Sequence, residues 1–539
     1  MSKQGWKARA ERMPRRGIAA ESISSLGRRN PLRLTVEGAE TGAQLAWQMK
    51  ILLLSPKTPS TFWSFEHVLR FVARKAAFPP LGLLTVAAML PRDWELRVLD
   101  LNVEELDESS VLWADYVLLS AMIVHRDSVR DVARLCGALG RPIVAGGPLF
   151  TTGHESFPEI PHFVLGEAEG IMDELAADMV RGRVKRVYQA AGFPSLDATP
   201  GPRYDLIDLR HYVTLAAQYS RGCPFDCEFC DIIVMNGRLP RTKAPEQFIA
   251  ELEAMRLLGW RNMVFVVDDN FIGNKARTKA LLRAMIEWRN RTHAEMGFLT
   301  EASINLADDA ELRSLMVEAG FRKVFVGIET PSNQALKDCR KVQNTDRDLV
   351  ADVRTLQDSG LEVMGGFIVG FDSDTGEIFK QQFDFIQRSG VVTAMVGLLT
   401  ALPQTRLYKR LKSEGRLTGD TAGNNTTASA LNFRPILGRE YLEKGYRELM
   451  RRLYEPANYY RRIGTFLRNY RSGGDRLHLS WSDFEAFLKS FWILGVWHRG
   501  RRAYWRFLAG LVLRHPRKFR VAIELAIIGH HFRKVAAEL

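Results

Sequence analysis

Short apolar runs closed by turn signals alternate with stretches of helical periodicity along most of this chain. Residues 48–56 run through Met-Lys-Ile-Leu-Leu-Leu to Ser-Pro, the pattern of a strand buried on both faces. A helix is predicted over 79–90, opened by Pro79 and Pro80, because proline is tolerated in a first turn. There follow strands at 95–100 and 116–120, an amphipathic helix at 127–139, a strand at 142–145 entering Gly146-Gly147-Pro148, and a helix at 166–183. Strand and helix taking turns predict a doubly wound parallel α/β sheet, with ligands at the carboxyl ends of its strands. Residues 192–203 contain Pro, Gly and Ser and read as a connector.

The alternation then resumes. A short strand at 214–219 is followed by helices at 245–258, 274–291, 309–319, 346–359 and 378–389, each leading into a strand, at 262–267, 297–302, 323–328, 364–371 and 394–399. This repeat predicts a partial, open (β/α) barrel, in which polar residues just past the strands face the site. Beyond 439 the strand signal stops, and Leu, Tyr, Trp, Phe and Arg recur at helical spacing to the end. The expected organisation is a basic, disordered tail (1–47), a Rossmann-like domain (48–200), a partial barrel (201–438) and an α-helical C-terminal domain (439–539).

Composition narrows this picture only a little. With 46% hydrophobic and 25% charged residues in 539, the chain is ordinary globular material with room for several cores. The first 30 residues lack an apolar signal-peptide region, and no apolar run of about 18 residues predicts a spanning helix. The net charge of +13 suits nucleic acid, anionic lipid or a solvated surface, and charge alone does not choose. Helical stretches at 500–515 and 518–534 mix cationic with apolar faces. They suit the surface of an anionic membrane, or packing on the barrel with snorkelling arginines. Their apolar content exceeds what a phosphate-binding face needs, so no nucleic acid is expected.

Chemistry concentrates in Tyr219-Ser-Arg-Gly-Cys-Pro-Phe-Asp-Cys-Glu-Phe-Cys230, which holds three of the five cysteines, Cys223, Cys227 and Cys230, spaced Cys-x3-Cys-x2-Cys. Gly222 and Pro224 make a loop rather than a helix. Three thiolates given to a four-iron cubane leave one iron open for a ligand. The alternatives are a zinc site with a distant fourth ligand, or packed core cysteines, although no second Cys-x2-Cys pair exists. Such thiolates suit a reducing compartment, so the cytoplasm is expected.

At this loop the chain resembles the radical S-adenosylmethionine (SAM) superfamily, whose cluster motif Cys223, Cys227 and Cys230 match. The resemblance implies a [4Fe-4S] cluster, SAM bound at its open iron, an external electron donor, and reductive cleavage of SAM to a 5'-deoxyadenosyl radical. Asp268, Asp269 and Asn270 follow one strand, Glu301 ends the next and Glu329 the one after. They correspond to the superfamily's contacts with the SAM amino group, ribose and methionine, while Gly365, Gly366 and Gly370 correspond to its adenine-side motif. Acceptors there would satisfy a cationic sulfonium and ammonium, although strand-end Asp and Asn also serve as helix caps.

The first domain resembles the cobalamin-binding domain that precedes the barrel in one class of these proteins. Ser120, Gly146 and Gly147 correspond to the loops lining the corrinoid tail. The Asp-x-His-x-x-Gly motif that supplies cobalt with a histidine is absent, and His67 and His125, as lone histidines, read as packing residues. From 49 to 539 the arrangement resembles cobalamin-domain radical SAM proteins with a helical C-terminal domain, hopanoid C-2 methylases among them. That implies methylation of an unactivated carbon in an apolar substrate, a small molecule or lipid. A non-methylating radical cyclase, oxidase or coupling enzyme, and a non-catalytic iron-sulfur carrier or sensor, are the competing readings.

Overall fold

The structure, a computed structural model, describes residues 48–426, 431–471, 481–497 and 499–539. The basic tail expected at 1–47 lies outside the described residues.

Six parallel strands form the first sheet: β1 (Lys50–Ser55), β2 (Glu95–Asp100), β3 (Tyr116–Ser120), β4 (Ile143–Gly146), β5 (His162–Leu165) and β6 (Val187–Gln189), in the order β2-β1-β3-β4-β5-β6. Leu52, Leu54, Val117 and Leu119 pack into one buried layer, and Ile51, Leu53 and Leu118 into the opposite one, which is why β1 reads as a continuous apolar run. Strand order reverses between β1 and β3, creating a crevice at their carboxyl ends. The helix expected from 166 spans Met172–Val180. Gly166, with φ of +82°, turns the chain into a loop ahead of it.

The second sheet comprises β7 (Leu215–Ala217), β10 (Val264–Val266), β11 (Phe298–Glu301), β12 (Phe321–Glu329), β13 (Glu362–Val369) and β14 (Ala394–Leu398). They are parallel and neighbour one another in chain order. Between β7 and β10 lies an antiparallel pair that the sequence pattern did not reveal, β8 (Ser220–Arg221) with β9 (Arg241–Thr242). Burial alternates along the strands. Val264, Val266, Thr300, Val324 and Val326 are fully buried, while Leu299, Glu301, Phe325 and Gly327 on the other face are half-buried. One face packs on helices and the other lines an open interior, as in a partial barrel.

The C-terminal helices Arg439–Tyr454, Pro456–Asn469, Trp481–Ser490, Arg501–Arg514 and Phe519–Glu538 close this sheet. Strand β14 is an edge, and unpaired edge carbonyls need partners. Tyr446 donates its hydroxyl to the Val396 and Thr426 carbonyls at 3.0 and 3.1 Å, and Tyr454 donates to the Ala394 carbonyl at 2.5 Å. Arg462, fully buried, donates to the Leu453 and Val392 carbonyls. At the amino ends of the strands Lys323 pairs with Glu362 and with Glu524 of the last helix. Helix Phe519–Glu538 buries Ile523, Leu525, Ile527 and Phe532, and Phe532 packs on Phe62 at 5.2 Å. For this helix, packing on the barrel is the reading that holds. No helix among the described residues is long and apolar enough to cross a membrane.

Replacing Tyr446 by Phe removes both hydrogen bonds to buried carbonyls while leaving the ring in place. The variant is expected to lose about 1–3 kcal/mol of stability, read as a lowered midpoint in chemical unfolding.

Candidate active site

The cysteine loop is tied down from below by one carboxylate. Asp268, just past β10 and 1% exposed, accepts from the Tyr219 amide (2.7 Å), the Ser220 amide (2.8 Å) and the Ser220 hydroxyl (2.6 Å). Burial pushes its carboxyl up to about 7, against the pull of these donors. Its neighbour Asp269 accepts from the Gly222 amide at 2.7 Å and from Asn236 at 2.9 Å. Gly222 has φ of +95°, and a Cβ there would lie 2.9 Å from the Leu239 carbonyl oxygen, so the turn into Cys223 requires glycine.

Cys227 is buried, and Cys223 and Cys230 are half-buried. Burial raises all three thiols, so thiolates here need a compensating charge. Amide donors already point at two of the sulfurs: Asn270 Nδ2 at Cys223 Sγ and Gln343 Nε2 at Cys227 Sγ, both at 3.8 Å. Asn270 is itself held by Ser303. N–H donors aimed at sulfur fit an iron-sulfur cluster, whose potential such bonds tune. No three His, Cys, Asp or Glu side chains among the described residues converge closely enough to hold a single metal ion.

Around the loop each strand-end carboxylate has a different occupation. Glu329, in the left-handed region at φ of +65°, pairs with Lys341 at 2.6 Å. Against the cost of burial, Glu329 and the cysteine sulfurs hold the Lys341 ammonium above its usual range. The Glu301 backbone carbonyl accepts from the Phe271 amide at 2.9 Å, while its carboxyl has no hydrogen bond or ion pair among the described residues. Burial first, then the charge of Asp269, pushes its carboxyl up to about 8. An unpartnered carboxyl at the mouth of the barrel fits a cationic ligand, which would restore its charge. The glycines lie close to side chains: a Cβ at Gly365 would meet the Phe367 ring and Val391, one at Gly366 the Phe325 ring, and one at Gly370, φ +110°, Leu442.

Beside Glu301 the interior is apolar. Strand register sets Phe325 beside both Glu301 and Met364. Trp63 packs tilted against Phe325 at 5.0 Å, and Phe78 meets Phe265 edge-on at 6.1 Å.

A buried ion network joins the two sheets. Glu167 and Glu169, in the loop after β5, face Arg221 and Arg241 of the β8–β9 pair: Glu167 to Arg221 at 2.5 Å, Glu167 to Arg241 at 2.5 Å and Glu169 to Arg221 at 2.7 Å. All four side chains are at most 14% exposed. These residues, with Lys341 and Gln343, were not singled out from the sequence. The pattern Gly166-Glu-Ala-Glu-Gly170 at a strand end was the available signal.

The crevice at β1 and β3 also faces the barrel. Gly423 packs so closely on Ile123 and Val124 that a Cβ would come within 2.9 Å of both, and Asn424 donates to the Ser60 carbonyl. Ser120, Gly146 and Gly147 meet at this end: a Cβ on Gly147, φ +93°, would lie 2.9 Å from Ser120 Oγ. His125 has both ring nitrogens engaged, Nδ1 by the Met122 amide at 3.2 Å and Nε2 by the Thr58 hydroxyl at 3.1 Å. Burial lowers its pKa to about 4. His67 lies elsewhere, against Glu66 and His531. The crevice therefore fits a corrinoid that takes no histidine from His67 or His125.

Glu167→Gln leaves two buried arginines undercompensated and is expected to cost about 3–5 kcal/mol. Chemical unfolding, with protease sensitivity of the 192–203 connector, measures it. A Glu301 carboxyl raised in the fold stays protonated to about pH 8, so stability falls as pH rises from the ordinary glutamate range to that point. Glu301→Gln should match the parent protein near pH 5 and exceed its melting temperature near pH 9.

Three family models match the chain: a B12 binding domain over residues 69–176, the Radical SAM superfamily over 218–386, and a domain of unknown function, DUF4070, over 405–539. An uncharacterized methyltransferase of Synechocystis sp. is 38% identical over 90% of this chain and 91% of its own. The hopanoid C-2 methylase of Rhodopseudomonas palustris is 33% identical over 91% and 94%. In fold, the chain resembles the cobalamin-dependent SAM radical enzyme OxsB, with a TM-score of 0.59 over 92% of this chain and 81% of that one at 14% identity. It also resembles the radical SAM methyltransferase TsrM of Kitasatospora setae, with a TM-score of 0.54 over 69% and 78% at 17% identity. The radical SAM domain implies SAM and a [4Fe-4S] cluster, and the B12 binding domain implies a corrinoid. A thiol loop lined with amide donors, beside an unpartnered carboxyl and a crevice at a strand-order reversal, thus belongs to a member of the cobalamin-dependent radical SAM methyltransferase family.

Proposed function

We propose that this enzyme methylates an unactivated carbon of an apolar substrate, a lipid of polycyclic or similarly rigid hydrocarbon character. The observation that carries the reading is the apolar barrel face of Leu299, Phe325, Met364 and Ile368, with Trp63 packed against Phe325 and Glu301 beside it. Such a surface binds hydrocarbon by burial and offers few hydrogen bonds to a polar substrate. The relative named as a hopanoid C-2 methylase supports this substrate class.

When bound, the cluster, reduced by an external electron donor, supplies the electron that cleaves SAM, and the corrinoid carries the methyl group. The residues of the chain divide the remaining work. Cys223, Cys227 and Cys230 hold the cluster, and Asn270, Gln343 and Lys341 stabilise the thiolates. Glu301 takes the cationic end of SAM, and the Lys341–Glu329 pair, Asp269 and the backbone at Gly365, Gly366 and Gly370 bound its remaining groups. Asp268 positions the cluster loop through Tyr219 and Ser220 rather than through the ligand. Ser120, Gly146 and Gly147 border the corrinoid. The same reading places the enzyme in the cytoplasm, at a membrane surface from which a lipid is drawn.

One observation favours a second reading, radical cyclisation without methyl transfer. The anaerobic magnesium-protoporphyrin IX monomethyl ester cyclase of Synechocystis sp. is 24% identical over 63% of the chain.

The deciding experiment is anaerobic purification with cluster reconstitution and cobalamin, then incubation with SAM, a strong reductant and a hopanoid. Formation of 5'-deoxyadenosine and a lipid heavier by one methylene is expected. A cluster without bound corrinoid, with 5'-deoxyadenosine but no methylated product, would favour the cyclase reading, and absence of both would sink the radical assignment. Cys227→Ala should abolish SAM cleavage while leaving the far-UV circular dichroism unchanged.

A further inference from the structure

Large hydrophobic side chains are exposed in one region out of proportion to its length. Of the nineteen such residues exposed among the described part of the chain, eight fall between Phe484 and Leu513. Trp497 and Leu513 are each 82% exposed, Trp492 57% and Val512 54%. On helix Arg501–Arg514 the buried residues are Tyr504 and Leu511. Trp505, Ala509, Val512 and Leu513 lie on the solvent side at spacings of four, three and one, which form a single stripe. The π-helical turn Phe491–Trp497 adds Trp492 and Val496, four residues apart. The two segments are locked together: Trp505 Nε1 donates to the Gly495 carbonyl at 2.9 Å, and its ring meets Phe491 edge-on at 5.0 Å.

Charge along this stripe is overwhelmingly positive, with Glu485, paired to Lys489 at 2.7 Å, at its margin. Between Glu485 and Glu524 the sequence contains nine Lys and Arg and no Asp or Glu, and Arg499, Arg501, Arg502, Arg506, Arg514 and Arg517 are exposed. A patch serving only as unfinished core would carry both signs at its rim, as ordinary surfaces do. Tryptophans beside arginines are instead the composition of a surface that sits in a lipid interface, with indole at headgroup depth and guanidinium on phosphate. Spanning is not involved, because no described helix is long and apolar enough.

We propose that the hairpin formed by Phe491–Trp497 and Arg501–Arg514 is a peripheral docking surface for an anionic bilayer. Trp492, Trp497, Trp505 and Leu513 enter the interface, and the arginines bind lipid phosphates. Charge complementarity selects anionic lipid over a second copy of this chain, since two copies would set arginine against arginine.

Vesicle co-sedimentation without SAM or substrate tests this, so its outcome is independent of the methylation reading. The full chain should bind vesicles of phosphatidylglycerol and phosphatidylcholine, and bind phosphatidylcholine alone at least tenfold more weakly. Raising the salt from 0.05 to 0.5 M should weaken binding to the anionic vesicles. Trp497→Ala combined with Leu513→Ser should reduce that binding at least tenfold, and Arg502→Gln combined with Arg506→Gln should flatten the salt dependence. Melting curves matching the parent protein establish that these exposed substitutions leave the fold intact. Absence of binding by the parent protein, equal binding to neutral vesicles, or unchanged binding by the double variants would overturn the proposal. So would light scattering that finds a dimer which Trp497→Ala with Leu513→Ser converts to monomer.

Discussion

Glu167 sits between two arginines, with Glu169 completing a network of two carboxylates and two guanidiniums almost wholly removed from water. Burying four charges is costly, and the geometry repays it only because every charge has an opposite neighbour within hydrogen-bond range. What the network adds is placement. Glu167 lies two residues beyond β5 and Arg221 two residues before Cys223, so the first sheet holds the cluster loop of the second by its root. With Asp268 gripping Tyr219 and Ser220 from the barrel side, the loop is anchored by both sheets at adjacent residues. Any chemistry that passes between a group on one sheet and a group on the other depends on that shared anchor.

The barrel mouth shows how one kind of residue takes several roles. Asp268, Asp269, Glu301 and Glu329 all lie at or just past strand ends and all look alike in sequence. Asp268 is used up by backbone donors, Asp269 holds the glycine turn, and Glu329 neutralises the ammonium that faces the sulfurs. Glu301 alone among them has a carboxyl with no partner among the described residues, and strand register sets it beside Phe325.

Architecture was legible because it rests on periodicity. The buried strands, the connector and the three cysteines are written in local spacing, and the α/β sheet, partial barrel and helical tail followed from them. Less was legible where partners are distant. The Arg221–Glu167 pair joins residues 54 apart in sequence, and no local pattern announces it. β5, β6 and the β8–β9 pair, at four, three and two residues per strand, are too short to display alternation. The division of labour among the strand-end carboxylates was hidden for the same reason, since only Tyr219, Ser220, Gly222 and Lys341 tell them apart. The C-terminal helices showed their composition but not their orientation: Phe519–Glu538 turned its apolar face into the core, whereas Arg501–Arg514 left a stripe of its own outside.

The tyrosines that cover β14 also impose an order on synthesis. The strand ends at Leu398, but Tyr446, Tyr454 and Arg462 follow roughly fifty to sixty residues later, and the Glu524 partner of Lys323 later still. At about 5–20 residues per second, the barrel edge waits on the ribosome for roughly 3–12 s before its cover is made. During that interval the nascent chain carries an open parallel edge of the sort that pairs with other chains. The helical tail is therefore less an appended module than the closing step of barrel folding, and shielding of the unfinished edge by a chaperone would matter most in the seconds before it emerges.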